Sequence, residues 1–405
     1  MSSLNACVFA SFVIGTVFTL LFKVSRICTM PKGKGHDIYK SVARYCFLYY
    51  ALNIGIMITE PYIFQRMLDS NLTPEEMTSI FAAPLIIKAV VKFIPLRVIK
   101  MTGVAPLLVA SGALASIATL LRTKKHYDTL CVAQVAIAIA REAFSYAMSD
   151  WKLGEGSHEK TSDAYFNAIV SAVHVAMTTI LAFVSMYLKK YYEDKQIFFI
   201  GTIICLVIIP SSLITIKKRP YPFRHQQAKP GVSGVAIILF FTIFETYFIP
   251  RIQQYITCSQ CVISLEYLFA LTLTMTYLAE TIVTYFDINN KAVYILVGTM
   301  LMLTIISLVI HISFDSKPLV FVLLMVGTIL TKIGRLSLDH IGNMPIENTV
   351  IAVVFTYLSY KLFSFDVKIN VKICVGSALL ALVSSIAHLF KGNDPNIDEF
   401  QQNLL

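Results

Sequence analysis

The segment Val235-Ala-Ile-Ile-Leu-Phe-Phe-Thr-Ile-Phe-Glu-Thr-Tyr-Phe-Ile-Pro-Arg251 is the stretch from which the fold is best predicted. It is an apolar run of helix length, yet it carries Glu245 near its middle and ends in a Pro-Arg pair. A charged side chain at the centre of a membrane helix costs about 2.5 to 3.5 kcal/mol, so it normally faces a bundle interior or a water-filled cavity. Glu245 is therefore predicted to lie on an internal wall, between two halves of a helical membrane protein.

The composition places the rest of the chain in a lipid bilayer as well. Of 405 residues, 56% are hydrophobic and 14% are charged, and the mean hydropathy is +0.69. Apolar runs of about 17 to 25 residues recur along the chain, which is the length that a helix needs to cross the hydrocarbon core. The sequence predicts about thirteen spans, over residues 4–22, 45–67, 77–95, 104–121, 129–149, 164–188, 197–216, 233–256, 264–286, 292–313, 319–335, 347–364 and 370–390.

Lysine and arginine are concentrated in two of the predicted loops. Eleven of them lie between residues 23 and 44 and between residues 217 and 229, against six in the two most basic loops of the opposite side. Cytoplasmic loops carry such an excess, so both segments are predicted to be cytoplasmic. The chain then divides into an extra N-terminal span with a basic loop (1–44), a six-helix bundle (45–216), a central cytoplasmic loop (217–232), a second six-helix bundle (233–390) and a cytoplasmic tail (391–405).

Charge, cysteines and motifs exclude several classes of protein. The net charge of +10 does not indicate a nucleic-acid partner, since the basic residues lie in loops that meet anionic lipid head groups. Cys258 and Cys261 form a lone C-x-x-C, which is too weak to predict a metal, and no cofactor is expected. The sequence contains no G-x-S-x-G, no H-E-x-x-H and no phosphate-binding glycine loop, so we do not expect an enzyme.

Three short segments carry a family resemblance. Asn53 to Met67 contains Glu60-Pro61-Tyr62-Ile63-Phe64, Leu130 to Trp151 ends in the single tryptophan, and Phe244-Glu245-Thr246 lies in the segment quoted first. They resemble core helices one, four and seven of the eukaryotic molybdate-anion transporters, a branch of the major facilitator superfamily that also has an extra N-terminal span. The resemblance implies an all-α polytopic fold of two six-helix bundles plus one N-terminal helix, and a molybdate-like oxyanion as solute. The arginine that this branch has near the start of core helix four is Gln134 here.

The loop after the predicted span 77–95 departs from the superfamily pattern. The usual Gly-x-x-x-Asp-x-x-Gly-Arg/Lys becomes Leu96-Arg-Val-Ile-Lys-Met-Thr-Gly-Val104, in which Gly103 is kept and Lys100 replaces the acid. The resemblance implies that this loop holds helix ends together, so we expect Lys100 to meet Asp150 at a neighbouring helix end. Lys100, Gly103, Asp150 and Trp151 are the predicted structural or gating residues. The same departures favour an alternative in which the protein no longer transports.

Polar side chains form two stripes inside predicted spans. Asn167, Ser171, His174 and Thr178 share one helix face, and Thr272, Thr276, Glu280 and Thr284 form a slanted row. Such stripes face a cavity or a neighbouring helix. For the threonines, hydrogen bonding between helices is the stronger alternative, and His174 alone is more typical of a hydrogen-bonded core histidine. A buried carboxylate such as that of Glu280 needs a partner or a proton.

Positive charges also enter the spans and point to an anion. Lys88, Arg141 and Arg251 lie at membrane depth, where a cavity that collects Lys and Arg attracts an anion by Coulomb interaction. The alternative for Arg141 is an ion pair with a glutamate from a facing helix. The predicted solute-binding residues are Glu60, Lys88, Arg141, His174, Glu245, Arg251 and Glu280.

Two functions from different classes remain open at this point. The first is a secondary transporter of a small polar or anionic solute, working by alternating access in the plasma membrane or an endomembrane, with Glu245 as a proton-linked or solute-orienting group. The second is a transporter-derived receptor or scaffold that does not transport. A carrier of sugars or of other small solutes is a further variant of the first. Carboxylates kept at membrane depth favour transport, and the altered loop at 96–104 favours the receptor.

Overall fold

The computed structural model describes residues 3–29, 37–73, 103–155, 160–215, 233–244, 265–285, 291–341 and 367–391, together with isolated positions between 76 and 87. Within these residues the secondary structure is helical with short turns and contains no strand. The helices are α1 (Ser3–Thr29), α2 (Asp37–Asp69), α3 (Val104–Leu121), α4 (Tyr127–Glu155), α5 (Lys160–Tyr191), α6 (Asp194–Leu206), α7 (Ile208–Thr215), α8 (Ser233–Ile243), α9 (Leu265–Tyr285), α10 (Ala292–Ile312), α11 (Lys317–Ile341) and α12 (Val367–Lys391).

Eight helical segments in the described residues are long and apolar enough to cross a membrane. Their bounds are Phe9–Thr29, Ile38–Ile63, Val104–Leu121, Tyr127–Met148, Tyr165–Tyr191, Asp194–Ile214, Ala292–Ile312 and Pro318–Leu338. Helices suit a bilayer because each satisfies its own backbone hydrogen bonds. The predicted all-α polytopic class is confirmed, and the protein is an integral multi-pass membrane protein. Some of the thirteen predicted spans lie outside the described ranges, so the number of spans stays a prediction.

The first helix is longer than the sequence predicted. The predicted span ended at residue 22 and left Lys23 and Arg26 in a loop, whereas α1 continues to Thr29 and contains both residues. Lys40 and Arg44, assigned to the same loop, lie in the first turns of α2. Lysine and arginine have high helix propensity, so the end of an apolar run does not have to end the helix. Lys23 is moreover buried, with 7% of its surface exposed.

The chain divides into two compact units. Unit 1 comprises residues 1–225 and 262–274, and unit 2 comprises residues 226–261 and 275–405. In unit 1, α3 packs on α4 and α6, α2 packs on α5 and α6, and α1 packs on α5. In unit 2, α10 packs on α11 and α12, and α8 packs on α12.

Two glycines allow α2 and α6 to approach closely. A Cβ on Gly55 would lie 2.4 Å from the Gly201 carbonyl oxygen, and a Cβ on Gly201 would lie 2.5 Å from Thr59 Cγ2 and 2.7 Å from the Gly55 carbonyl oxygen. Small residues at helix contacts favour association in membranes because backbones can then touch. This contact places Thr59, and with it the following Glu60, at a fixed depth in unit 1.

Gly103 begins α3 with a backbone conformation that other residues avoid. Its φ is 87° and its ψ is 178°, a combination that is essentially restricted to glycine. We expect Gly103→Ala to lower the free energy of unfolding by about 1 to 3 kcal/mol. Since no atom of the described residues lies within 4 Å of a Cβ placed there, this cost is assigned to the backbone. Melting temperature in detergent measures it.

The matched control is Gly376→Ala in α12. A Cβ there also meets no atom of the residues that the structure describes within 4 Å, and the glycine has no positive φ. Alanine is favoured over glycine inside helices, so this variant should melt at the same or a higher temperature. Equal melting temperatures for both variants would contradict a conformational requirement at Gly103.

Candidate solute-binding site

The predicted residues Glu60 and Arg141 form a bidentate ion pair between α2 and α4. Arg141 Nη1 donates to Glu60 Oε1 at 2.9 Å, and Nη2 donates to Oε2 at 2.6 Å. The two side chains are 34% and 29% exposed, so the pair reaches a surface of unit 1. Pro61 follows directly in α2 and has no backbone N–H to continue the helical hydrogen bonds. From the sequence, Arg141 could be either a cation in a solute-binding cavity or one partner of an ion pair. The structure shows the ion pair.

A second guanidinium lies deeper in unit 1, and the sequence missed it. Arg122 follows α3, is completely buried, and donates to Thr59 Oγ1 at 3.1 Å and to Gln134 Oε1 at 2.8 Å. Burial lowers its pKa to about 10, while the charge of Glu60 acts in the opposite direction, so Arg122 stays charged at neutral pH. Gln134 stands where the molybdate-anion transporters that the sequence resembles have an arginine. Arg122, at the end of α3, brings its guanidinium to the Gln134 side chain.

His174 of α5 contacts two tyrosines of α2. Its Nδ1 lies 2.5 Å from the Tyr50 hydroxyl, and its ring centroid lies 4.4 Å from that of Tyr49. Thr178, on the same predicted stripe, donates to the His174 carbonyl oxygen at 2.7 Å. Part of this stripe therefore makes hydrogen bonds within and between helices. The sequence analysis had given hydrogen bonding as the alternative to a solute-binding role for the threonines and for His174.

Another residue of this stripe, Ser171, contacts the N-terminal helix. Lys23 of α1 donates to Ser171 Oγ. Ser171 and His174 are half-buried and one turn apart on α5. The sequence had placed Lys23 in a cytoplasmic loop, and a signal for the correct position was available, because Lys23 directly follows the predicted span 4–22.

These groups form one polar network in unit 1. Tyr49 lies next to His174 on one side, and on the other its ring contacts Phe144 of α4, which is one turn from Arg141. The network thus connects Glu60 and Arg141, through Tyr49, to His174 and Lys23. Among its described ionisable side chains the cations Lys23, Arg122 and Arg141 outnumber the single carboxylate, Glu60. A network with this charge and this many N–H and O–H donors suits an anion.

Unit 2 contains a separate ion pair on the second predicted stripe. Glu280 of α9 lies 3.5 Å from the Lys332 ammonium of α11, and both side chains are about one-third exposed, at 32% and 33%. Glu280 therefore has the partner that a carboxylate at membrane depth requires.

Several predicted residues cannot be placed. Lys88, Lys100, Glu245 and Arg251 lie outside the described residues, and so does the side chain of Asp150. The predicted contact between Lys100 and Asp150 is therefore untested and stays a prediction. In the described part of the chain, no three His, Cys, Asp or Glu side chains come together as metal ligands would.

Trp151 lies near the C-terminal end of α4, whereas Arg122 lies just before the N-terminal end of that helix. Only 1% of its surface is exposed, and its ring stacks on Tyr45 of α2, with centroids 6.2 Å apart and planes at 24°. It is the largest fully buried side chain of the described residues. A side chain in this environment contributes packing between α2 and α4.

Solved structures similar to this chain are membrane transporters. A nucleoside transporter, NupG, matches with a TM-score of 0.60 at 8% identity over 86% of this chain and 99% of that chain. The fold is of the major facilitator type. The fucose:proton symporter FucP of E. coli matches with a TM-score of 0.55 at 12% identity over 86% and 98% of the two chains. An auto-inhibited peptide transporter of the POT family matches with a TM-score of 0.58 at 9% identity over 87% and 97%.

At such low identities the likeness to this major-facilitator fold concerns the architecture alone. No protein-family model and no curated protein matches the sequence. The predicted superfamily agrees with these neighbours, whereas the molybdate-anion branch is supported only by the short segments quoted above.

Proposed function

We propose that this chain is a secondary transporter that moves a small anionic solute by alternating access, and that the solute binds beside Glu60 and Arg141. The observation that carries the proposal is the positive excess of the polar network in unit 1, which contains Lys23, Arg122 and Arg141. The fold neighbours support transport as the activity, since their titles name carriers of nucleosides, fucose and peptides. A molybdate-like oxyanion meets the charge requirement, and so does a small carboxylate.

Glu60 provides a route for coupling a proton to the solute. Its carboxylate accepts both N–H donors of Arg141 and thereby occupies the place where an oxyanion or carboxylate of the solute would bind. Protonation of Glu60 removes the competing charge and frees the guanidinium. Arg141 then binds the solute, and the proton enters with it. The coupling role predicted for Glu245 remains a second proposal on residues outside the described ranges.

Uptake into proteoliposomes tests the function. Purified protein is reconstituted, and molybdate, sulfate and succinate are compared with fucose and uridine. We expect uptake of at least one anion and faster uptake when the outside is acidic, because in the proposed mechanism a proton enters together with the solute and then moves down its own gradient. Liposomes without protein provide the background.

Glu60→Gln is the matched variant for coupling. Glutamine keeps the shape of the side chain, but its amide is neutral and does not take up or release a proton as a carboxylate does. Anion uptake by this variant should lose its dependence on external pH. Uptake of fucose or uridine that no anion inhibits would contradict an anionic solute. Absence of uptake for every solute, with anions still raising the melting temperature, would favour the receptor.

A further inference from the structure

Unit 2 repeats the packing pattern of unit 1, and α11 takes the place of α4 in it. In unit 1, α3 packs on α4 and α6, and in unit 2, α10 packs on α11 and α12. Helix α6 also packs on α2, as α12 packs on α8. Arg141 lies seven residues before the end of the span Tyr127–Met148, and Lys332 lies six residues before the end of the span Pro318–Leu338. Corresponding helices of the two units thus carry a cation at nearly the same depth.

The packing of α11 on aromatic side chains fixes its rotation about its own axis. A Cβ on Gly334 would lie 2.5 Å from Phe241 Cζ, and a Cβ on Gly327 would lie 2.7 Å from Phe244 Cζ. The face of α11 with both glycines is therefore covered by these phenylalanines. Lys332 lies about 140 to 160° around the helix from the two glycines. Its side chain is thereby turned away from α8, and it meets α9 instead.

The contact that Lys332 makes with Glu280 is long and partly exposed. Its ammonium nitrogen lies 3.5 Å from Glu280 Oε1, and 33% and 32% of the two side chains are exposed. A charge-assisted N–H···O bond measures about 2.7 to 2.9 Å, so this ion pair lacks a short hydrogen bond. Ionised groups inside a membrane span face water or protein rather than lipid, so the exposed part of each side chain faces an aqueous space. A small ligand therefore has room beside the Lys332 ammonium.

An apolar cluster beside the ion pair joins the same helices. Val283 of α9 and Ala292 of α10 are buried, and Ile333 of α11 packs against them. Val283 lies one turn after Glu280, and Ile333 directly follows Lys332. The ion pair is thus not the sole contact between α9 and α11, and Lys332 can release Glu280 without separation of the helices.

We propose that Lys332 of α11 is a second anion-binding residue of this protein, and that Glu280 occupies its ammonium only until a carboxylate or an oxyanion of the solute replaces it. Both ligand classes present charged oxygens that can approach to hydrogen-bonding distance, which Glu280 does not reach. This inference rests on the proposed function, because it assumes that the solute is an anion. It goes beyond the proposed function by assigning a specificity-determining residue to unit 2.

Ligand-induced shifts in melting temperature test this inference without requiring transport. The full chain in detergent is titrated at constant ionic strength with sulfate, molybdate and succinate, and with fucose as the neutral probe. Lys332→Met removes the charge at similar length, Lys332→Arg keeps it, and Glu280→Gln removes the competing carboxylate. Lys372→Met, at an exposed position of α12, is the matched control for loss of one lysine. Comparing sulfate and molybdate with succinate separates oxyanions from carboxylates.

The two sides of the ion pair should have opposite effects on anion binding. We expect the half-saturating anion concentration to be about tenfold higher in Lys332→Met than in the wild type, as loss of one hydrogen bond to a charged group predicts. Lys332→Arg should raise it by less, and Lys372→Met should match the wild type. Glu280→Gln should lower it by about threefold or more, because the neutral amide no longer competes for the ammonium.

A purely structural ion pair would give a different pattern. Both neutral variants would then lower the melting temperature without anion, and Glu280→Gln would not tighten anion binding. If Lys332→Met does not fold, Lys332→Gln replaces it, because glutamine is polar and carries no charge.

Three results would overturn the proposal. They are an unchanged half-saturating concentration in the neutral Lys332 variant, anion binding by Glu280→Gln that is no tighter than in the wild type, and a wild-type protein that no anion stabilises. If anion uptake depends on Arg141 while the Lys332 and Glu280 variants bind anions as the wild type does, this inference fails and the proposed function stands. If both variants shift binding as expected but no anion enters liposomes, the transport function fails while the role of Lys332 stands.

Discussion

Arg141→Met will reduce anion uptake by about thirtyfold or more, with most of the loss in apparent affinity. The guanidinium makes two charge-assisted hydrogen bonds to Glu60, and in the proposed mechanism it transfers both to the solute. Losing such a charged partner at a partly buried site costs about 2 to 5 kcal/mol, and 1.4 kcal/mol corresponds to a factor of ten. Initial rates of anion uptake into proteoliposomes over a range of concentrations measure the loss.

Arg141→Lys is the matched control, since it keeps the charge but loses the two-pronged geometry. We expect a smaller loss of about tenfold. The double variant Glu60→Gln with Arg141→Met separates binding from stability, because removing both partners leaves no unpaired charge. It should recover melting temperature relative to Arg141→Met while uptake stays low. Wild-type uptake in Arg141→Met would contradict a solute site at this pair.

Gly201→Val will prevent α2 and α6 from packing and will leave little folded protein. A Cβ at Gly201 already lies 2.5 Å from Thr59 Cγ2 and 2.7 Å from the Gly55 carbonyl oxygen, distances that real side chains do not show. Overpacking of this kind costs about 1 to 3 kcal/mol for each added group that cannot be accommodated, and one of the obstacles here is backbone. Gly201→Ala should already lower the melting temperature clearly. Size-exclusion profiles and melting temperature in detergent check both variants.

Gly298→Ala and Gly298→Val in α10 are the controls. Within the described part of the chain, no atom lies within 4 Å of a Cβ at Gly298, so the added groups meet no described neighbour. In a membrane helix that surface accepts apolar side chains, and alanine has the better helix propensity. Both control variants should fold. Equal behaviour of Gly201→Val and Gly298→Val would show that the close approach of α2 and α6 is not required.

The paired residues of the site were partly recognisable from sequence. Glu60 and Arg141 each lie at membrane depth in an apolar run, and the cost of burying a charge there marks them without any structure. Their partnership could not be assigned, because the two residues are 81 positions apart and several glutamates were eligible. His174 was recognisable as one residue of a polar stripe. Its contacts with Tyr49 and Tyr50 depend on how α2 and α5 pack.

Lys23 and Arg122 show where sequence reasoning failed. Both follow an apolar run, and a cation in this position is normally read as a loop residue at the membrane surface. In the structure both are buried, because each finds a hydroxyl or amide on a neighbouring helix, Ser171 for the first and Thr59 with Gln134 for the second. No local pattern encodes these acceptors, since they come from other parts of the chain.

The sequence by itself determined that this protein is a helical multi-pass membrane protein, since the length and apolarity of its runs match the bilayer and each helix satisfies its own backbone. It also marked Glu60 and Arg141 as charged residues at membrane depth. Only the tertiary structure decided that α1 is packed on α5, that Gly55 and Gly201 bring α2 and α6 together, and that Arg141 is paired with Glu60. Packing between distant segments depends on complementary shape and on partners for buried charges, and neither is a property of one stretch of sequence.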